Sequence, residues 1–311
     1  MRIAIMGAGG MGGYFGGRLA RAGAAVAFIA RGEHLRAIQA RGLEVHSPTG
    51  DFTVKAPATE DPRRVPDLIG VPDLVLFCVK SYDTETAAHA LGPILGPETA
   101  VLTLQNGVVN EETLATHLGA ERILGGLVYG FAVIEAPGVI RHTQGGKIVF
   151  GELGGRLTPR VERFLEAGRQ AGFPIEVSPD IRRALWEKYL MIGALSGTTA
   201  VTRRPLGEIR ACPESRQLYR LILEELAALA VAEGVAMAPD AVETSLYAAD
   251  GLRPDSYSSL YHDLTLGRRL ELEALHGHAV RLGARHGIPT PACFAIYAAL
   301  RPAALAAGAG H

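Results

Sequence analysis

Short apolar, β-branched runs alternate with helical patterns through residues 1–179. Strands are predicted at Ile3–Met6, Val26–Ala30, Leu74–Val79 and Ala100–Leu104, and helices at Met11–Ala22, Glu33–Ala40, Thr84–Leu91 and Asn110–Leu118. Such alternation predicts an α/β fold, a parallel sheet with helices on both faces. From Ile123 to Glu152 the pattern changes. Runs at Leu127–Ile134, Val139–His142 and Lys147–Phe150 are separated by Pro137-Gly138 and Gly145-Gly146, which read as turns between antiparallel strands. A helix at Pro159–Ala171 and a strand at Ile175–Val177 complete this part.

After Ser178-Pro179-Asp180 the strand signals stop. Helices are predicted at Ile181–Leu195, Glu214–Glu233, Pro239–Ala249, Leu270–His286 and Pro291–Ala303, with Asp180 as N-cap of the first and Gly234 as terminator of the second. A Gly/Ala-rich tail, Ala306 to His311, is expected to fray. Two domains follow, 1–179 built on a sheet and 180–311 all helical; 311 residues suffice for both.

Composition removes several function classes. Net charge is −1, so no global field argues for nucleic acid or an anionic membrane as partner. Cys78, Cys212 and Cys293 are widely spaced and odd in number, and read as buried free thiols rather than a disulfide framework or zinc site. Ten histidines include no pair at metal-ligand spacing; His276 and His278 sit two apart, and no metal is expected. The strand-like run after Met1 leaves no room for a signal peptide, and Glu224 and Glu225 interrupt the apolar stretch Leu221–Ala232. The expectation is a cytoplasmic protein, with a homodimer left open.

The segment Gly7-Ala8-Gly9-Gly10-Met11-Gly12 lies between the first strand and the first helix. Gly7 permits a tight turn, Gly9 lets backbone approach a pyrophosphate, and Gly12 allows close helix–strand packing. The helix start adds N–H groups and a positive dipole end. A bare glycine turn is the plainer alternative, but the placement favours a dinucleotide. The second strand ends in Arg31, where an NAD enzyme usually carries Asp or Glu; a guanidinium suits a 2′-phosphate, so NADPH is the expected cofactor. Arg31 as a solvated loop residue is the alternative. Lys80 and Gln105-Asn106-Gly107 end two further strands, where ligands of open α/β sheets bind. Solvation for Lys80 and a simple turn for Asn106-Gly107 remain the competing readings.

The chain resembles the ketopantoate (2-dehydropantoate) reductase family along nearly its whole length. The resemblance rests on GAGGMG at Gly7–Gly12, Arg31, CVKS around Lys80, QNG at Gln105–Gly107 and APGVIRH at Ala136–His142. It continues with WEK at Trp186–Lys188, Thr199-Ala200, PLGEI at Pro205–Ile209, and SSL and LELE within Ser258–Glu273. It implies a Rossmann-type domain followed by an all-α domain like the C-terminal domain of 6-phosphogluconate dehydrogenase, with the site between them. It also implies NADPH-dependent reduction of a 2-oxo acid, ketopantoate to pantoate, a step toward pantothenate and coenzyme A.

By the same resemblance Lys188 is the general acid, in a reaction that needs a cation beside the oxygen that gains charge. Without it, Lys188 reads as a solvated lysine. Glu271 matches the family's acid, placed to hold that ammonium and touch the cofactor ribose. Asn106, Ser196 and Ser259 would orient substrate, and Asn106 also the cofactor. Glu273 reads as a solvated helix residue.

Three positions depart from the family. Ile192 and Ser196, four and eight residues past Lys188, stand where it commonly has asparagine, as does Leu206 before the Gly-Glu pair. Isoleucine cannot bond a carboxylate or hydroxyl, so a less polar 2-oxo acid or ketone is a second reading. A non-catalytic NADPH sensor is a third. A 6-phosphogluconate-type dehydrogenase is disfavoured, since QNG replaces its GxSGG-like loop.

Overall fold

The computed structural model describes residues 1–308. In chain order the first part contains β1 (Arg2–Met6), α1 (Gly10–Arg21), β2 (Ala25–Ile29), α2 (Gly32–Arg41), β3 (Leu43–His46), β4 (Phe52–Val54), β5 (Ala58–Thr59), α3 (Val65–Ile69), β6 (Leu74–Phe77), α4 (Thr84–Leu91), β7 (Ala100–Thr103), α5 (Asn110–Leu118), β8 (Ile123–Ala136), β9 (Val139–Glu152), α6 (Pro159–Gln170) and β10 (Ile175–Val177). The second part contains α7 (Ile181–Thr202), α8 (Leu206–Ala211), α9 (Pro213–Ala232), α10 (Ala241–Asp250), α11 (Ser259–Thr265), a π-helical turn (Glu273–Gly277), α12 (His278–His286) and α13 (Pro291–Gly308). This is a mixed α/β sheet region followed by a helical one.

The chain divides into two compact units. One comprises Met1–Gln105 and Asn110–Ile181; the other comprises Asn106–Val109 and the residues from Arg182 onward. Four residues after β7 thus make their contacts with the helical unit.

In the sheet unit the strands run in the order β4-β3-β9-β8-β7-β6-β1-β2-β5, with β10 beside β9. β1 lies between β6 and β2 and is parallel to both. Its four residues Ile3–Met6 are buried, as expected for a strand covered on both faces. One core, with Ile3, Ile5, Phe15, Phe28 and Phe150, fills one side of the sheet; another, with Ala4, Phe77, Val101 and Leu114, fills the other. The strand order reverses at β1, with β2 on one side and β6 on the other, so the glycine segment that follows it opens where such sheets take ligands.

Gly145-Gly146 is not a turn. β8 and β9 form one antiparallel hairpin of two 14-residue strands, with register shifts near Tyr129/Gly130 and Phe131/Ala132. Gly145 and Gly146 adopt φ of +72° and +104° and absorb an extra residue inside β9, as glycines do in bulges. Only Pro137-Gly138 turns the chain.

The helical unit packs around α7, whose Tyr189, Leu190 and Ala194 are fully buried with Leu223, Leu226 and Ile296. Helix α7 runs on through Thr202, seven residues past the predicted end, because Ser196–Ala200 is still buried. Gly234, with φ of +74°, closes α9 as expected. Two expectations need correction. Leu270 to Leu272 are not helical; a π turn begins at Glu273. Cys212 is exposed rather than buried, at the N-cap of α9.

Among the described residues one helix, α13, is long and apolar enough to cross a membrane by length and composition. It buries Ala292, Cys293, Ile296 and Leu300 against the helical core. The tail expected to fray is helical through Gly308, and residues 309–311 lie outside the described part.

Candidate active site

In the glycine segment, backbone geometry requires glycine at Gly7 and Gly12, while Gly9 faces open space. Gly7 has φ of +95°, and a Cβ there would meet Cys78 and Val79 at 3.0 Å. At Gly12 a Cβ would lie 2.1 Å from the Gly7 carbonyl oxygen. At Gly9 there is nothing within 4 Å. That open side belongs to the N-cap of α1, which carries no side-chain cap and no acid in its first turn. First-turn N–H groups beside open space suit the phosphates of a dinucleotide. Ala8 is buried and Met11 packs partly on the core.

A feature without local sequence signal closes the other side of this loop. A Cβ at Gly10 would lie 1.9 Å from the carbonyl oxygen of Ala132, so the β8–β9 hairpin presses against it. His34 of α2 reaches Ala8 O at 2.8 Å, and the Gly138 N–H donates to His34 Nδ1 at 3.0 Å.

Arg31 is the N-cap of α2 and its side chain is 73% exposed, with Nη2 3.1 Å from Asp83 Oδ2. Lys80 is half-buried just past β6, and its carbonyl accepts from the Asp83 N–H. Gln105 is a brace. Its amide donates to Val79 O and Thr84 Oγ1 at 3.0 and 2.8 Å, and its oxygen accepts from Thr103 Oγ1. It ties the ends of β6 and β7 together.

In the helical unit, Lys188 and Asn106 meet. Lys188 Nζ donates to Asn106 Oδ1 at 2.8 Å, across 82 positions of sequence, and Lys188 is only 7% exposed. A solvated lysine it is not. Trp186, Tyr189 and Leu190 beside it are buried core. Glu271 is buried, two residues ahead of the π turn. Tyr189 Oη donates to Leu275 O at 2.6 Å and His276 Nε2 to Gly193 O at 3.0 Å, so α7 is stitched to that turn twice. Burial pushes the His276 imidazole down to about 4.

The remaining candidates divide. The Ser196 hydroxyl is buried and donates to Ile192 O one turn back in its own helix. Ser259, first residue of α11, is half-buried. Its neighbour Ser258 caps that helix by accepting from Tyr261 N and bonds Thr199 Oγ1 at 2.8 Å. Leu206 is sealed in the core, whereas Ile192, one turn along α7 from Lys188, is only partly buried. Glu273 accepts from Arg281 and Tyr297 and pairs with Arg301. Its side chain stays 46% exposed while it braces α12 and α13. Among the described residues no group of three or more His, Cys, Asp or Glu could hold a metal.

Comparison with known proteins agrees with this layout. Residues 3–155 match the family model described as ketopantoate reductase PanE/ApbA, and residues 180–304 match its C-terminal counterpart. The 2-dehydropantoate 2-reductase of Halobacterium salinarum is 35% identical over 292 residues, covering 94% of this chain and 95% of that one. A crystal structure of a PanE/ApbA family ketopantoate reductase from Ralstonia eutropha superposes with a TM-score of 0.90 at 37% identity, covering 99% and 100% of the two chains. A D-mandelate dehydrogenase solved with NADH and anilino(oxo)acetate shares the fold, with a TM-score of 0.90 at 22% identity and 99% coverage of both. The chain belongs to the ketopantoate reductase family of nicotinamide-dependent oxidoreductases.

Proposed function

We propose that this protein reduces a 2-oxo acid with NADPH, that ketopantoate is the leading substrate, and that Lys188 supplies the proton. The observation that carries this reading is the buried ammonium of Lys188, held 2.8 Å from the Asn106 amide oxygen. A lysine withdrawn from water and fixed by a hydrogen bond is placed as a proton donor needs to be.

NADPH fits the sheet unit. The open backbone at Gly9 and the start of α1 take the pyrophosphate, and Arg31 takes the 2′-phosphate, exchanging its ion pair with Asp83 for one with the phosphate. The reduced nicotinamide, when bound, supplies the hydride. Lys188 stabilises the charge that develops on the keto oxygen and gives up its proton there, so that ketone, hydride and proton together make the 2-hydroxy acid. Asn106 sets the direction of the Lys188 head group. Glu271 is the acid that orients it from the π-turn side, and Ser259 a substrate hydroxyl. Ser196 is a weaker contact than the sequence suggests, since its hydroxyl is used by its own helix. This activity places the protein in pantothenate synthesis.

A second reading has a specific observation behind it. Ile192 occupies the α7 face one turn from Lys188 and presents no amide, which favours a less polar 2-oxo acid. NADPH and NADH oxidation should be followed with ketopantoate beside branched and aromatic 2-oxo acids. Turnover of ketopantoate at the highest kcat/KM supports the first reading, and preference for an apolar keto acid the second. No turnover on any, with NADPH bound, contradicts both.

A further inference from the structure

We infer that His34 is a positioning residue for the cofactor loop: its imidazole fixes the Ala8–Gly9 peptide so that the Gly9 N–H is aimed before a dinucleotide arrives. The inference rests on the cofactor reading above and goes beyond it, to a side chain outside the glycine motif.

The hydrogen-bond roles leave one arrangement. The Gly138 backbone N–H is a donor and lies 3.0 Å from His34 Nδ1, so Nδ1 presents its lone pair. The ring hydrogen is then on Nε2, which donates to the Ala8 carbonyl at 2.8 Å. Desolvation holds the imidazole below its ordinary value, which favours this neutral form.

Ala8 is consequently held at both of its polar atoms. Its N–H donates to Ile29 O at 3.2 Å, alongside that of Gly7, and its carbonyl accepts from His34. The peptide between Ala8 and Gly9 is planar and trans, so its C=O and N–H point in opposite directions. Fixing the oxygen on His34 directs the Gly9 N–H away from α2. A loop made of Gly7, Gly9 and Gly10 has little intrinsic stiffness, and glycine peptides swing readily. The imidazole removes that freedom in advance, and such preorganisation raises affinity by lowering the ordering cost of binding.

The other end of the clamp explains Gly138. That residue has φ of +78°, and a Cβ there would lie 2.9 Å from Ala37 Cβ. The single true turn of the hairpin therefore lies against α2 and gives its N–H to His34. Helix α2 starts with Arg31 at its N-cap and carries His34 three residues later. One helix start thus serves both the 2′-phosphate residue and the pyrophosphate loop.

The test compares His34→Leu, which fills the space without either bond, with His34→Gln, whose amide both donates and accepts. Affinities for NADPH and for 2′-AMP, a probe lacking the pyrophosphate, are measured by calorimetry together with Tm. The expected result is an about tenfold loss of NADPH affinity in His34→Leu, with 2′-AMP affinity within about twofold of wild type, and recovery to within about threefold in His34→Gln. Unchanged NADPH affinity in His34→Leu overturns the inference. So does an equal loss for both ligands, which would mean that α2 as a whole had shifted. A wild-type protein that binds neither NADPH nor NADH overturns the cofactor reading instead, and this inference with it.

Discussion

The glycine loop of the sheet unit and the Lys188 region of the helical unit present polar groups in opposite ways. The loop offers backbone N–H groups, and the side chains around it, His34 and Gln105, serve as braces. The helical unit offers side chains, Lys188 and Asn106, and keeps its backbone for α7 and the π turn. Backbone donors carry no ionisable proton and are suited to holding a phosphate through many turnovers. A side-chain ammonium can release a proton and recover it. The contrast explains why binding and proton transfer should respond to different substitutions.

The largest expected effect is on turnover. Lys188→Ala should lower kcat about 10³-fold, within the usual span for removing a general acid. A loss below about tenfold, in steady-state assays at saturating NADPH, would break the assignment of the proton to the helical unit.

Next is the response to acid. The folded His276 imidazole titrates at about 4 against an ordinary 6.5. The unfolded chain therefore binds the proton more readily between these values. Stability present above about pH 6.5 should drain as pH falls toward 4, by on the order of 3 kcal/mol. Urea unfolding across this range should show the loss in wild type and a flatter profile in His276→Gln. His278, also pushed down to about 4, should leave part of the slope in place.

Arg31→Ala should weaken NADPH about thirtyfold and leave NADH within about twofold, since only the 2′-phosphate loses a partner. Equal losses for both would mean that Arg31 supports the loop rather than the phosphate. The smallest effect sharpens the substrate reading. Ile192→Asn should raise kcat/KM for ketopantoate about tenfold relative to a branched apolar 2-oxo acid. No change in the ratio would take Ile192 out of the substrate's surroundings. Leu206→Asn, by contrast, should unfold the core before it alters selectivity.

The two regions also differ in how far the sequence discloses them. The glycine loop is local: six consecutive residues between a strand and a helix state its geometry, and four central strands were legible from apolar runs alone. What holds the loop was not. His34 reaches Gly138 across 104 positions, and the hairpin that presses on Gly10 was misread because Gly145-Gly146 looks like a turn and is a bulge. Strands β3, β4 and β5 are only two to four residues long and carry too short a pattern to register. In the helical unit, Lys188 was legible only through family resemblance, because its partner Asn106 is 82 residues away. The π turn escaped for a physical reason: the Leu270–His286 apolar spacing fits a helix, while the turn's bonds run to distant α7, from Tyr189 to Leu275 O and from His276 to Gly193 O.

The division of labour is tested most directly by the NADPH binding isotherm of Lys188→Ala, measured beside wild type without substrate. The expected result is a Kd within about twofold of wild type, with the loss confined to turnover. A Kd weakened tenfold or more would contradict the account, since the buried ammonium would then be serving the cofactor rather than the substrate's proton.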